Sequence, residues 1–265
     1  RVVRAILMPQ RSDRSGPAGE TTGSARALSL WQDAGVAENP QTPLADAGIA
    51  LGPLDGRYRP AVAPLVEYLS EAALNRERVH VEVEWLLHLT DQAVVPGAGR
   101  LEDDERDRLR AVLTVFGPDE VAELAAIERE TAHDVKAVEY FVKRRLEGTP
   151  SEAASELVHF CCTSEDINNL SYALMLQRAV TRVWLPKAVA VVAQLADLAE
   201  ALRSVPMLAR THGQPATPTT LGKELAVFVH RLGRQLRRIE HTEYLGKLNG
   251  ATGTYAAHLA AVPTA

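Results

Sequence analysis

Two of the eight histidines in the chain lie where helical patterns break. His212 lies in Arg210-Thr-His-Gly-Gln-Pro-Ala-Thr-Pro218, a loop rich in Gly and Pro that follows a break at Pro206. Such a loop can direct an imidazole into a cleft, and histidine titrates near neutral pH, so the position suits proton transfer. A histidine in a loop is still more often an ordinary surface residue than a catalytic one.

The second histidine, His133, belongs to one of three predicted helix starts. Thr131-Ala-His-Asp134 and Thr163-Ser-Glu-Asp166 both fit the capping box, with Thr as the N-cap, and a third start follows at Pro218-Thr219-Thr220. A helix start offers free backbone N–H groups and a partial positive charge, which favour an anion. An ordinary structural cap is the simpler interpretation of any one of them, but the three together suit a small anionic ligand.

Composition bounds the class of protein. The 265 residues are 46% hydrophobic and carry a net charge of −5, which indicates a globular chain without the basic field that nucleic acid would need. The most apolar stretch, Ala188 to Ala199, is too short to span a bilayer, and no secretory signal is evident. We therefore expect no membrane partner and a cytoplasmic location.

The chain has only two cysteines, the neighbours Cys161 and Cys162. A disulfide between adjacent residues is strained, and no histidines lie around them at zinc-like spacing. We expect two reduced, half-buried thiols and no metal site.

The organisation along the chain changes near residue 50. Residues 1–50 are rich in Gly, Ser, Thr and Pro, begin with Arg, and are interpreted as a disordered or spurious extension. The remainder favours helices, and the strand-like alternation of His80 to Glu84 is kept helical. Helices are expected at about 60–93, 103–115, 118–130, 132–147, 151–160, 165–182, 185–203 and 219–244.

Three motifs carry a family resemblance. Arg210–Pro218 resembles the His-x-Gln-Pro-Ala-x-Pro segment of the fumarase/aspartase superfamily, Thr163–Asn169 resembles its Thr-Ser segment, and Lys247–Gly253 resembles its Lys-x-x-Gly-Ala-x-Gly segment. Pro53–Tyr58 and His133–Tyr140 resemble the adenylosuccinate lyases, a branch of that superfamily. The resemblance covers residue 51 to the end of the chain.

This resemblance implies an all-α fold. Residues 51–150 correspond to an N-terminal helical domain, and residues 151–265 correspond to part of a central bundle of long helices that joins four copies in a homotetramer. The implied reaction releases fumarate from adenylosuccinate, and from the succinylated aminoimidazole carboxamide ribotide, without a metal or an organic cofactor.

The resemblance also implies roles for particular residues. His212 matches the general acid, which protonates the departing nitrogen. Substrate-binding positions match Arg57, Tyr58, His133, Asp134, Thr163 and Ser164. Ala132 stands where relatives often have Asn, which puts one polar contact in doubt, and Lys247 has no clear role.

The general base is expected on a Ser-Ser-x-Met-Pro loop that would follow residue 265, so the 265-residue chain alone is expected to be inactive. Two alternatives stay open. One is another fumarate-releasing lyase, such as argininosuccinate lyase. The other is a non-catalytic helical fragment that associates with intact subunits.

Overall fold

The structure is a computed structural model and describes residues 48–95 and 99–263. These residues form two compact units, and the second is inserted in the first: residues 180–243 form the second unit, and the described residues on either side form the first. The extension predicted at residues 1–50 lies almost wholly outside the described residues. Compact units need not coincide with a family's domains, so the predicted boundary at residue 150 stays a prediction.

The described chain is mainly helical, as the sequence predicts. Its elements, in order, are α1 (Arg59–Leu69), α2 (Glu71–Asp91), α3 (Asp103–Val115), α4 (Pro118–Thr131), α5 (Asp134–Leu146), a 3-10 helix (Glu152–Leu157), α6 (Ser164–Ala179), a π-helical turn (Val180–Trp184), α7 (Leu185–Ala201), β1 (Pro206–Thr211), β2 (Gln214–Thr220), α8 (Leu221–Glu240) and α9 (Ala256–Ala261).

The first helix predicted, at 60–93, is two helices. Ser70 has an extended backbone, and its hydroxyl accepts a hydrogen bond from the N–H of Ala73 at 3.2 Å, which starts α2. The helical assignment of His80 to Glu84 is confirmed, since the segment lies inside α2. The helix expected at 151–160 is wrong in type, because the chain there forms a shorter 3-10 helix.

Helix α2 is the centre of the first unit, and it packs against α1, α3, α5, α6 and the 3-10 helix. Its apolar side chains are buried on every face, as expected of a core helix. Four charged side chains of α2 are buried with them: Arg76, Glu77, Arg78 and Glu82. A buried charge is costly unless it is paired, so these residues require partners on neighbouring elements.

The second unit holds the largest departure from the prediction. Residues 206–220, expected as an irregular loop between helices, form an antiparallel hairpin of β1 and β2. The predicted start of α8 is confirmed, because the Thr220 hydroxyl accepts a hydrogen bond from the N–H of Lys223 at 3.2 Å. Helices α7 and α8 pack closely at Gly222, where an added Cβ would lie 2.2 Å from the carbonyl oxygen of Ala199.

One helical run, Ser164–Ala201, is long and apolar enough, by length and composition alone, to cross a membrane. The estimate from Ala188–Ala199 missed this run because α6, the π-helical turn and α7 follow one another without a break. Length and composition are weak evidence, since helices packed inside a protein pass the same test. Ile167 and Leu170 of α6 are already buried in the core of the first unit.

Candidate active site

The start of α5 presents His133 and Asp134. His133 has an extended backbone and is the N-cap, and its Nδ1 accepts a hydrogen bond from the N–H of Lys136 at 3.2 Å. The predicted cap at Thr131 is wrong, because α4 continues to Thr131 and ends at Ala132 in the left-handed conformation (φ 51°). The imidazole of His133 remains half exposed.

Arg78 connects this helix start to α6. Its Nη2 lies 2.6 Å from Oδ2 of Asp134, and its Nε donates to Oδ1 of Asn168 at 2.9 Å. A third hydrogen bond, from Nη1 to Oδ1 of Asn75, fixes the guanidinium to its own helix. Burial would raise the pKa of Asp134, but the N–H of Val135 and the charge of Arg78 outweigh it and lower that pKa. Asp134 is therefore held as a carboxylate.

The start of α6 presents Thr163 and Ser164. The predicted capping box is confirmed in one of its two hydrogen bonds, since the N–H of Thr163 donates to Oδ2 of Asp166 at 2.9 Å. The ammonium of Lys247 lies 2.8 Å from the other carboxylate oxygen of Asp166. Lys247, for which the sequence gives no role, therefore forms an ion pair with the first turn of α6.

The turn before Thr163 is strained and anchored from α2. His159 and Cys161 both have left-handed backbones, with φ values of 61° and 60°. Glu82, which is fully buried, accepts the N–H of His159 at 3.0 Å and lies 2.5 Å from its Nδ1. The indole of Trp85 donates to the carbonyl of Phe160 at 3.0 Å. These contacts fix the chain that leads into Thr163 and Ser164.

The cysteines of this turn are free and half-buried, as predicted. Burial, with Glu82 and Asp166 nearby, raises the pKa of the Cys162 thiol far above its usual range. The thiolate is the reactive form of cysteine, so Cys162 is not suited to act as a nucleophile.

Arg57 and Tyr58 lie in the loop before α1. The carboxylate of Asp55 closes this loop by accepting the N–H groups of Leu51 at 2.7 Å and of Gly52 at 2.8 Å. The guanidinium of Arg57 lies 5.5 Å from the ring centroid of Tyr58, and both side chains are exposed. This pair presents a cation and a phenol to solvent.

His212 lies at the tip of the hairpin in the second unit. Thr211 pairs with Gln214, so His212 and Gly213 form a two-residue loop, and both have positive φ (48° and 73°). This is the pattern of a type I′ turn, which suits the twist of the flanking strands. The turn holds the exposed His212 in a defined backbone conformation.

Among the described residues, Arg78 links Asp134, at the start of α5, to Asn168, in the second turn of α6, the helix whose start holds Thr163 and Ser164. The structure leaves Arg57 and Tyr58 outside that set of hydrogen bonds, and His212 belongs to the other unit. Sequence reasoning missed Arg78, Glu82 and Asp166 as supporting residues. Arg78 and Glu82 are two of several charged residues that α2 carries among its apolar ones, and the sequence signal is only that any of them that is buried requires a partner.

Comparisons with known proteins agree with the motifs. The chain is 47% identical over 215 residues to adenylosuccinate lyase of Escherichia coli (strain K12), and 46% identical over 215 residues to that of Haemophilus influenzae. Each alignment covers 81% of this chain and 47% of the relative. The chain therefore spans about half the length of these curated relatives.

Solved structures with the same fold include a fumarate lyase from Mesorhizobium sp. BNC1 (TM-score 0.59, 23% identity) and β-carboxy-cis,cis-muconate cycloisomerase from Acinetobacter calcoaceticus (TM-score 0.55, 24% identity). Each match covers 74% of this chain and 44% of the other. At this identity the likeness concerns the fold alone. The sequence profile of a protein family described as lyase matches residues 56–264. The chain therefore belongs to the lyase family.

Proposed function

We propose that the protein to which this chain belongs is an adenylosuccinate lyase. It eliminates fumarate from adenylosuccinate to give AMP, and from succinylated aminoimidazole carboxamide ribotide to give the free carboxamide ribotide. The observation that carries this proposal is the 47% identity over 215 residues to the E. coli adenylosuccinate lyase. The start of α6 supports it, because a helix N-terminus suits an anionic group of the substrate.

In the proposed reaction, a base removes a proton from the succinyl carbon beside a carboxylate. The C–N bond then breaks, its electron pair goes to the purine-side nitrogen, and His212 protonates that nitrogen. A positioned histidine suits this proton transfer. The base that the resemblance implies is a serine on a loop outside these 265 residues.

The other residues bind the substrate in this proposal. The hydroxyls of Thr163 and Ser164, with the free N–H groups at the start of α6, bind a carboxylate of the succinyl group. Arg57 and Tyr58 bind an anionic group of the nucleotide, for which a planar guanidinium offers two parallel hydrogen bonds. His133 and Asp134 complete the binding surface, with Arg78 holding Asp134 in place.

We also propose that the protein acts as a cytoplasmic homotetramer. Large apolar side chains remain exposed on the second unit, including Val191 (61%), Leu198 (47%), Phe228 (55%) and Leu232 (41%). Apolar surface of this kind is typical of helices that pack against other subunits. The 265-residue chain alone is accordingly expected to associate in solution. It is also expected to show no lyase activity, because the serine that the resemblance implies as the base lies outside it.

The test is a chimaera in which the matched segment of this chain replaces the corresponding segment of the E. coli lyase. Cleavage of adenylosuccinate is followed by the change in ultraviolet absorbance, with the unaltered E. coli enzyme as the reference. We expect turnover within about tenfold of the reference and none with argininosuccinate. Cleavage of argininosuccinate instead would select the other fumarate-releasing lyase. A folded, tetrameric chimaera that cleaves neither compound would favour the non-catalytic fragment.

A further inference from the structure

The carboxylate of Asp166 is an unusually well-occupied acceptor for a residue in the first turn of a helix. It is fully buried, and four donors surround it. Besides the N–H of Thr163 and the ammonium of Lys247, it accepts the N–H of Asn249 at 3.1 Å and the N–H of Gly250 at 3.0 Å. A carboxylate offers about four acceptor positions, so the protein fills them all. Asp166 cannot also bind a substrate directly.

Helix capping explains only one of these four contacts. The Thr163 N–H is local, whereas the other three donors come from a segment 81 to 84 residues later in the sequence. An ionised carboxylate is costly to bury, and an exposed residue could cap the helix without that cost. Burial would raise the pKa of Asp166, but Lys247 and the backbone N–H groups lower it. The additional contacts therefore serve to hold the later segment.

Asn169 completes the attachment one turn further along α6. Its Oδ1 accepts the N–H of Lys247 at 2.7 Å, and its Nδ2 donates to the carbonyl of Lys247 at 3.0 Å. One amide side chain thus pairs with both backbone groups of one residue, as a neighbouring strand would. The segment also lies very close to α6, since a Cβ at Gly246 would be 2.4 Å from Leu170.

We propose that Asp166 and Asn169 are positioning residues that hold Lys247–Gly253 against the start of α6, so that two of the three family motifs form one wall of the substrate site. The assignment of this wall to a substrate site rests on the proposed function, whereas the attachment itself rests on geometry alone. Neither residue touches the reacting atoms. Their role is to keep Thr163 and the loop at Gly250 in a fixed relation, through one shared carboxylate.

Hydrogen exchange in the chimaera tests the attachment. In Asp166→Asn the amide group replaces two acceptor sites with donors, which then face the N–H groups and the ammonium. We expect the amides of residues 247–250 to exchange about tenfold faster or more, while the amides of α2 keep their rates. The matched control is Asp119→Asn, which makes the same substitution at an exposed position in the first turn of α4 and should change neither region.

Asn169→Ala is a second variant. It keeps the buried carboxylate of Asp166, and it should also speed the amide exchange of residues 247–250. Unchanged exchange at residues 247–250 in either folded variant would overturn the proposal. An equal increase throughout α2 would overturn it too, because that result describes a general loss of stability.

The kinetic test uses the chimaera. Asp166→Asn should lower kcat/KM by about tenfold or more, mainly through KM, whereas Asp119→Asn should leave it unchanged. The positioning role would be refuted if a variant with faster exchange at residues 247–250 kept the kcat/KM of the unsubstituted chimaera. If the unsubstituted chimaera has no lyase activity, the proposed function fails, while the exchange rates still decide whether Asp166 and Asn169 hold the segment.

Discussion

Arg78 should stabilise the first unit far more than its single ion pair suggests. Its side chain is only 7% exposed, and it donates to three acceptors: Asn75, Asn168 and Asp134. We consider Arg78→Met, which keeps most of the apolar stem and removes all three hydrogen bonds. The substitution leaves two amide oxygens and one carboxylate without their donor.

The expected loss is about 3 kcal/mol. Removing one partner of a buried ion pair costs roughly 3–5 kcal/mol, and hydrogen bonds to a charged group contribute roughly 1.5–3 kcal/mol each. The lower end of the roughly 3–5 kcal/mol range applies because the Asp134 side chain is 45% exposed, so water replaces part of the hydrogen bonding that Arg78 provides. The greater part of the loss is therefore assigned to Asn75 and Asn168.

The assay is urea unfolding of the chimaera at one fixed protein concentration, followed by circular dichroism. Arg100→Met is the matched control, because Arg100 pairs with Asp103 at the surface, where the side chains are 55% and 80% exposed. It should change the free energy of unfolding by less than about 1 kcal/mol. A double-mutant cycle with Asp134→Asn should give a coupling of about 1 kcal/mol between Arg78 and Asp134. If Arg78→Met matched the Arg100 control, the three-way bridge would contribute nothing and the reasoning would be refuted.

Three further predictions concern His212, Ala132 and the buried pair of Glu82 and His159. In the chimaera, His212→Asn keeps a residue that tolerates positive φ, so turnover should fall by about two to four decades with an unchanged melting temperature; retained turnover would remove His212 as the acid. Ala132→Gly removes the strain of an alanine in the left-handed conformation and should raise the free energy of unfolding by about 0.5–1 kcal/mol. Ala111→Gly within α3 should lower it by about as much, and thermal unfolding measures both changes. Burial would lower the pKa of His159, but Glu82 outweighs it and raises that pKa above 6.5, while burial raises the pKa of Glu82 above 4.5. A group whose pKa is raised in the folded state stabilises the protein below its unfolded pKa, so for His159 the urea midpoint should fall as pH rises above 6.5. The Glu82→Gln, His159→Gln double variant removes both titrating groups, and an unchanged slope in it would contradict this assignment.

Local sequence signals predicted those parts of the fold that local physics decides. The caps at Thr163 and Thr220 depend on residues three positions away, and both helix starts are found where the pattern places them. The cap at Thr131 failed because Thr131 and His133 are both possible caps, and the left-handed turn at Ala132 decides between them. Nothing within a short window contains that information.

The hairpin and the buried ion pairs could not be predicted from local sequence patterns, for two different reasons. Pro215 and Pro218 lower the strand propensity of β2, and its exposed side chains show no alternation of burial. The contacts of Arg78 with Asp134 and of Glu82 with His159 join residues 56 and 77 positions apart. Sequence alone shows that such charges require partners, whereas the partners follow only from how the helices pack.

The contact of Asp166 with Lys247 has a consequence for synthesis on the ribosome. The two residues are 81 positions apart, and the whole second unit lies between them. At roughly 5–20 residues per second, Asp166 is polymerised about 4–16 s before Lys247. During that interval the carboxylate has only its local donor, so the first unit is incomplete while the inserted unit is being made. The order of translation thus requires the second unit to emerge, and gives it time to fold, before the first can close.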